Sequence, residues 1–336
     1  SVPHFADADV GMVQARWGHL NRDYSLLTRA QAILLDGHFV VEHAARHRGG
    51  CFFNFNGTAG IWRRQAIRAA GGWEHDTLTE DLDLSYRAQL AGWQFVYLPD
   101  VVVPAELPAE INAYKSQQNR WAKGSVQTAR KLLGTVLRAP ISLHAKLEAF
   151  VHLTANFTYL LMVLLSILVF PAMVLRSDDE MWKLLAFDLP LFSAASVSVM
   201  VFYFVSQKAT GIGWFRRLWQ LPAVMGVGIG LAINNSRAVL SGLVHDGGVF
   251  HRTPKYNIEK KNDGWTGKKY RLAYDMTFLI ESVLAFYFMA CFVLAVYLEM
   301  WLSIPFLYLF LHGYLHMFLL GIGPLLKRPH LQAAAG

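Results

Sequence analysis

Two short polar motifs, about 35 residues apart, carry the side chains best suited to chemistry. The first is Leu78-Thr79-Glu80-Asp81. A carboxylate beside an acceptor hydroxyl can take its proton as a new bond forms. Asp81, with Glu80 next to it and Asp83 two residues on, is the candidate general base. The same residues also allow a purely local role. Thr79 can cap a helix through its side-chain oxygen, and acids in a first turn face the positive end of the helix dipole, which keeps them ionised. The second motif is Gln117-Gln118-Asn119-Arg120-Trp121. Gln117, Arg120 and Trp121 fall at i, i+3 and i+4 and share one helical face. A guanidinium can clamp phosphate oxygens and an indole can stack on a sugar ring, so this face suits a sugar diphosphate. Its local alternative is an interfacial helix with Trp at headgroup level.

These motifs need elements to hold them. Residues 10–16 read as a short strand, and residues 25–47 have the helical spacing of Leu26, Ala30, Ile33, Leu34 and Phe39. Residues 51–62 are aromatic and Gly-rich, as in a strand that ends at a substrate. Gly71-Gly72 marks a turn. A helix is expected from Thr79 to Ala91, stopped by Gly92, then strands at 93–98 and 101–103. The first hundred residues therefore read as part of an α/β layer. Residues 110–135 form a polar-to-basic amphipathic helix, followed by Arg138, that is expected on a membrane surface.

The composition points to a membrane as well. Of 336 residues, 54% are apolar and only 16% charged, against roughly 25% charged in soluble domains. The formal charge is +7. The basic residues cluster in loops beside apolar runs, which fits a cytoplasmic membrane face and argues against nucleic acid. Cys51 and Cys291 lie far apart and imply no disulfide framework.

Five apolar segments follow, at about 150–175, 184–206, 218–243, 275–299 and 301–323. A span needs about 20 apolar residues. The third carries Gly226, Gly228, Gly230, Asn234, Asn235, Ser236 and Arg237. Lys208, Arg216 and Arg217 on one side of it, and Arg252, Lys255, Lys260, Lys261, Lys268, Lys269 and Arg271 on the other, place both its flanks inside. The acidic loop with Asp178, Asp179 and Glu180 is expected outside. Four spans and one interfacial or re-entrant helix are expected, with the C-terminal Lys327 and Arg328 returned inside.

Thr-Glu-Asp followed by Gln-x-x-Arg-Trp resembles the processive family-two glycosyltransferases. The stretches Val13-Gln14-Ala15-Arg16-Trp17 and Phe53 to Arg63, which contains Asn56-Gly57-Thr58, are similar to the plant cellulose synthase-like A and C proteins and bacterial relatives. The resemblance covers residues 10 to about 260. Phe250-His251-Arg252-Thr253-Pro254-Lys255 is similar to that family's gating loop, with Arg252 in place of the usual Val.

The resemblance implies a GT-A-type α/β layer, present in part, followed by an α-helical transmembrane region. It implies Asp81 as base, with Glu80 and Thr79 beside it. Gln117, Arg120 and Trp121 would hold the diphosphate and acceptor end, and Asn56, Gly57 and Thr58 would line the acceptor side. Phe250, Arg252, Thr253 and Lys255 would close over the donor. The implied donor is UDP-glucose or GDP-mannose and the product a growing β-linked mannan or glucan. The implied cofactor is magnesium or manganese on an Asp-x-Asp expected upstream of Ser1, together with the nucleotide-binding strands. Asp7-Ala8-Asp9 has that spelling but reads as a surface turn.

The expected organisation is a cytoplasmic transferase part at 1–109 and the amphipathic helix at 110–147. Membrane helices at 148–243, a cytoplasmic gating loop at 244–274 and two further spans at 275–325 complete it. The fragment itself is expected to be inactive. The protein is placed in the cell (inner) membrane with its transferase part and C-terminus cytoplasmic. A non-catalytic glycan-transport or scaffold module and a non-processive lipid-directed transferase are the alternatives. His43 and His47, with Ala44 where a zinc-protease motif needs Glu, read as a solvated helix face. His312 and His316 read as packing or channel lining, and Gly226-x-Gly-x-Gly lacks the strand of a dinucleotide site.

Overall fold

The computed structural model describes residues 1–176, 189–211, 213, 215, 217, 219–250, 252–260, 262–264 and 277–326. Among them, an α/β layer leads into a helical membrane region. Strand β1 (Val10–His19) is central, with β2 (Gly60–Trp62) antiparallel on one side and β3 (Gln94–Ala105) parallel on the other. Met12, Val13 and Gln14 are all buried, because both faces of β1 are covered.

The two strands expected at 93–98 and 101–103 are one strand. Its pairing shifts register between Ala15 and Arg16, near Pro99. Proline has no N–H for the ladder, and Arg16 Nε donates instead to the Pro99 carbonyl at 2.9 Å. The strand expected at 51–62 pairs only over Gly60–Trp62. Gly57 (φ 72°) and Ala59 (φ 61°) are left-handed, which breaks extended pairing before it.

The helix expected at 25–47 is interrupted. Helix α1 (Leu26–Asp36) starts in a capping box between Ser25 and Thr28. It runs into a π-helical turn, Gly37–His43, and then a short turn, Ala44–Arg48. Helix α2 is Arg64–Ala69 and α3 is Glu80–Leu90, followed by Gly92 at φ 93°. Helix α4 (Ile111–Arg138) begins where the Glu110 carboxylate accepts the N–H groups of Asn112 and Ala113.

The remaining helices are α5 (Leu143–Thr154), α6 (Thr158–Arg176), α7 (Leu189–Ala209), α8 (Leu221–Gly230), α9 (Ala232–Val244), α10 (Thr277–Tyr297) and α11 (Ile304–Leu326). Three stretches among the described residues are long and apolar enough to cross a membrane: Leu143–Ala172, Thr277–Tyr297 and Trp301–Ile322. Leu161, Ile167, Val283, Phe286 and Val293 are exposed on their outer faces, as lipid contact requires.

The segment expected at 184–206 begins outside the described residues, and its described part is α7. The third segment is not one helix: α8 and α9 meet at a 44° bend. Gly226 and Gly230 serve close crossing with α11, since a Cβ would lie 2.7 Å from the His312 ring at the first and would clash with Met317 Cγ at the second, whereas Gly228 faces open space. Asp178, Asp179, Glu180, Arg216, Lys261, Lys268, Lys269, Arg271, Lys327 and Arg328, used above to orient the chain, lie outside the described residues.

Helix α4, expected on a membrane surface, packs against protein along much of its length and is exposed at Gly134, Thr135, Leu137 and Arg138 near its C-terminal end. Leu132 and Val136 join Ala149 and Leu153 of α5, while Val126 meets Ala238 and Val239 of α9. Ile111 and Tyr114 join α1 and α8. Lys115, one turn in, is buried, and its Nζ lies 2.6 and 2.7 Å from the carboxylate oxygens of buried Glu281 on α10. Thr277 Oγ1 accepts from the same ammonium at 3.2 Å. Removing one partner of a buried pair leaves an uncompensated charge and costs about 3–5 kcal/mol, whereas an apolar pair of similar volume is often neutral. Lys115→Ala should therefore sharply lower the thermal midpoint of detergent-solubilised protein, and Lys115→Met with Glu281→Leu should recover most of the loss.

Candidate active site

A cavity of about 550 Å³ opens between the α/β layer, α4 and the segment after α9. It is lined by Thr79, Glu80 and Asp81, by Gln117, Arg120 and Trp121, by Asn56, Gly57 and Thr58, and by Phe250, Arg252, Thr253 and Lys255. The three sequence motifs and the Asn-Gly-Thr loop thus meet at one place. His251 lies outside the described residues.

Asp81 occupies the first turn of α3. The Leu82 N–H donates to its Oδ1 at 2.8 Å, and the Ser85 hydroxyl donates to its carbonyl at 2.5 Å. That hydroxyl also accepts the Phe55 N–H at 2.8 Å, which ties the 53–58 segment to the same helix. Gly57 runs close to this carboxylate: a Cβ there would lie 3.0 Å from Asp81 Oδ2.

Two local expectations fail at this helix. Thr79 is the N-cap residue but makes no side-chain cap. Its side chain is wedged against α4, where Thr128 Oγ1 is 3.4 Å away and a Cβ on Gly124 would come within 2.6 Å. The helix dipole also does not keep Asp81 readily ionised. Burial, then the neighbouring Glu80 charge, push its carboxyl up to about 7, against the opposing pull of nearby N–H groups and Arg120. Asp83, grouped with the base by spacing, turns away. It is fully buried and paired to Arg87 at 2.6 Å and Lys131 at 3.0 Å.

Cations gather on the other side. The Arg120 guanidinium lies 4.6 Å from the Phe250 ring centroid, and its Nη2 is 3.4 Å from Thr253 Oγ1. Burial pulls the Arg120 and Lys255 values down. Asp81 and Glu80 oppose this for Arg120; Glu106 opposes it for Lys255, where Arg252 and Arg120 add to the fall. An anion seated among these groups would relieve their burial cost.

Sequence reasoning missed three members of the site. Glu106 accepts the N–H groups of Tyr256 and Asn257 at 2.9 and 3.0 Å, and Lys255 Nζ bonds the Glu106 carbonyl, so this residue holds the 253–258 segment down. Nothing in its local setting, between Ala105 and Leu107, signals that role. Trp17 lines the cavity. Gln14 is buried in β1, where its Nε2 reaches the Thr58 and Ala59 carbonyls at 3.1 and 3.2 Å and its Oε1 accepts the Asn56 N–H at 3.0 Å. A polar residue directly after the apolar run Val10–Val13 of β1 was the available signal for Gln14. His43 also needs correcting. It is buried rather than solvated, with Nε2 3.0 Å from the Asn54 carbonyl, and burial together with His38 pulls its value well below the usual range.

The carboxylates do not fit a divalent cation in this cavity. Glu106 is occupied by backbone donors, and among the described residues no three ligand side chains converge in the cavity. Glu74, Asp76 and Asp83 converge elsewhere, but they surround the Lys131 ammonium. Asp7 and Asp9 form an exposed turn before β1, with the Asp9 N–H on Asp7 Oδ1 at 3.0 Å. That is eight residues of strand from Trp17, about 25 Å at 3.3 Å per residue.

A sequence profile of glycosyl transferase family group 2 matches residues 1–224, more than half of the chain. The chain belongs to this family. It is 48% identical over 132 residues to glucomannan 4-beta-mannosyltransferase 1 of Oryza sativa subsp. japonica, covering 39% of this chain and 25% of that protein. It is 43% identical over 162 residues to the probable glucomannan 4-beta-mannosyltransferase 4 of the same plant, covering 48% and 29%. Glucomannan 4-beta-mannosyltransferase 2 of Arabidopsis thaliana is 48% identical over 139 residues, covering 41% and 26%. The matched part is thus little more than a quarter of each relative's length.

The Asp81 shift sets a stability prediction. A carboxyl raised from 3.8 to about 7 in the folded state stabilises the fold while protonated, and that contribution is lost as pH rises through 7. Asp81→Asn should leave the thermal midpoint little changed at pH 4. At pH 8 it should raise stability by about 1–3 kcal/mol, read by thermal unfolding at the two pH values. Gly124→Ala should act oppositely. Its Cβ would clash with Thr79, and overpacking costs about 1–3 kcal/mol.

Proposed function

We propose that this chain is the acceptor-side and catalytic part of a membrane-embedded, inverting glycosyltransferase that adds hexose units to a growing β-linked polysaccharide. One observation carries this reading. A single cavity has a carboxylate with an affinity for protons near neutrality on one wall, and Arg120, Arg252 and Lys255 on another. General-base catalysis is most efficient when the base titrates near the working pH, and a nucleoside diphosphate is the leaving group that such cations suit.

The step is a single displacement. The acceptor hydroxyl oxygen bonds to the anomeric carbon of the donor sugar as the bond from that carbon to the diphosphate oxygen breaks. The proton passes to Asp81 and the negative charge leaves with the nucleoside diphosphate. Gln117 and Arg120 hold the diphosphate, and Trp121 gives the acceptor end an aromatic face. Asn56, Gly57 and Thr58 form the acceptor side. Phe250, Arg252, Thr253 and Lys255 close over the donor.

The relatives' names favour a mannosyl donor, which makes GDP-mannose the first choice and UDP-glucose the second. Enzymes of this family generally use a divalent cation, so magnesium or manganese belongs in any assay. The transferase layer is placed on the cytoplasmic side, where nucleotide sugars are made, and the polymer leaves among the membrane helices.

Membranes carrying the full-length gene product should incorporate radiolabel into insoluble polymer from one of these two donors. Asp81→Asn should abolish incorporation while nucleotide binding persists. Undiminished polymer from that variant would remove Asp81 as base. No incorporation from either donor by inserted, intact protein would overturn the transferase reading.

A further inference from the structure

Behind Asn56 lies a chain of polar groups that the transfer step leaves unused. It is built on the π-helical turn Gly37–His43. In an α-helix, residues five apart diverge by about 140°. A π turn bonds i to i+5 and brings them over one another. His38 and His43 accordingly face the same side, their rings 4.5 Å apart. Helix α7 presses on the start of this turn: a Cβ on Gly37 would lie 2.7 and 2.9 Å from the rings of Phe202 and Tyr203.

His38 Nδ1 is 3.0 Å from Glu42 Oε2. Arg46 braces the same carboxylate at 3.5 Å and is itself paired to Glu148 at 2.5 Å. Burial alone would raise the Glu42 carboxyl, but His38 and Arg46 more than offset it and hold it down to about 2. Both ring nitrogens of His38 face acceptors, Nδ1 the ionised Glu42 carboxylate and Nε2 the Asn56 Oδ1 at 3.2 Å, so both ring N–H groups donate. The other end of that amide is 3.0 Å from His43 Nε2. The Asn56 Oδ1 is thus held by His38 and by the Asn54 amide, which donates to it at 3.1 Å, and Gln14 fixes its main chain. The next residue, Gly57, runs beside Asp81, where a Cβ would lie 3.0 Å from Asp81 Oδ2.

We propose that His38, oriented by Glu42, is a positioning residue for the acceptor. It sets the Asn56 amide and the Asn56–Thr58 loop, and so the hydroxyl that Asp81 deprotonates. The inference rests on the transferase reading above.

The test measures kcat and KM for donor and acceptor separately, using full-length enzyme and a short β-linked hexose oligomer as acceptor. His38→Ala should raise the acceptor KM or lower kcat at least about ten-fold, since misplacement of a reacting group by about 1 Å costs up to 100-fold. The donor KM should stay within about two-fold, because donor contacts are untouched. Asn56→Ala should behave alike, and the double variant should be no worse than the more severe single one, as coupled residues require. His38→Gln, which still reaches Asn56, should recover part of the loss.

Glu42→Gln preserves shape and should give an intermediate defect; it supplies the same kinetic readout if His38→Ala fails to fold. Wild-type kinetics in the His38 and Glu42 variants, equal changes in both KM values, or full additivity with Asn56→Ala would overturn the inference. If Asp81→Asn abolishes transfer while the His38 variants do not impair it, the inference alone fails. If the wild-type enzyme transfers no sugar, the transferase reading fails and the inference falls with it.

Discussion

A buried charge pair is the constraint on which the architecture turns. Helix α4 carries Gln117, Arg120 and Trp121, and it packs against protein along much of its length. Its Lys115 reaches apolar surroundings only because Glu281 and Thr277 of the α10 span meet it there. Such a pair contributes little net stability, yet separating its partners is costly. The pair therefore acts as a register pin between the transferase layer and the membrane helices. Asn234 of α9 extends it by donating to the Lys115 carbonyl at 2.9 Å, and Asn119 donates to the Asn234 carbonyl at 3.1 Å. Helix α4 is thus indexed to two membrane-region helices within one turn of the residues that face the cavity.

From that seat, α4 positions nearly everything else. Gly124 lets Thr79 approach and so brings α3 with Asp81 to the cavity. Gln127 accepts the Leu78 N–H at 2.9 Å and donates to the His245 and Gly247 carbonyls at 2.8 Å each. One amide therefore links the segment before the base to the segment that leads into Phe250. The cavity these contacts build is electrostatically unsettled. Its carboxylate resists ionisation and its cations are held against their preference, a condition that suits an anionic ligand and a proton-accepting step.

Parts of this were legible in the residues themselves. The β1 run, the amphipathic α4, the Gly92 helix stop and the apolar spans follow from periodicity and local backbone preference, which depend on near neighbours. The thirteen expected site residues were legible as motifs because each needs a particular side chain at a fixed local spacing. Their convergence could not be read, since it depends on contacts 30 to 150 residues apart. Glu106 gave little signal for the same reason, and so did the role of the local His38–Glu42 pair, whose link to the site runs through Asn56, 18 residues from His38.

The sequence by itself determined an α/β layer leading into apolar helices, and the chemical character of the motifs. Spacing and composition are enough for those. Tertiary structure alone decided that Asp81 would be hard to ionise, that Thr79 would wedge rather than cap, and that His43 would be buried. It also packed α4 against protein along much of its length and bent the third apolar segment at Leu231. Each of these outcomes depends on what surrounds a residue in space: the loss of water, the nearest charge, and the backbone that a distant glycine lets approach.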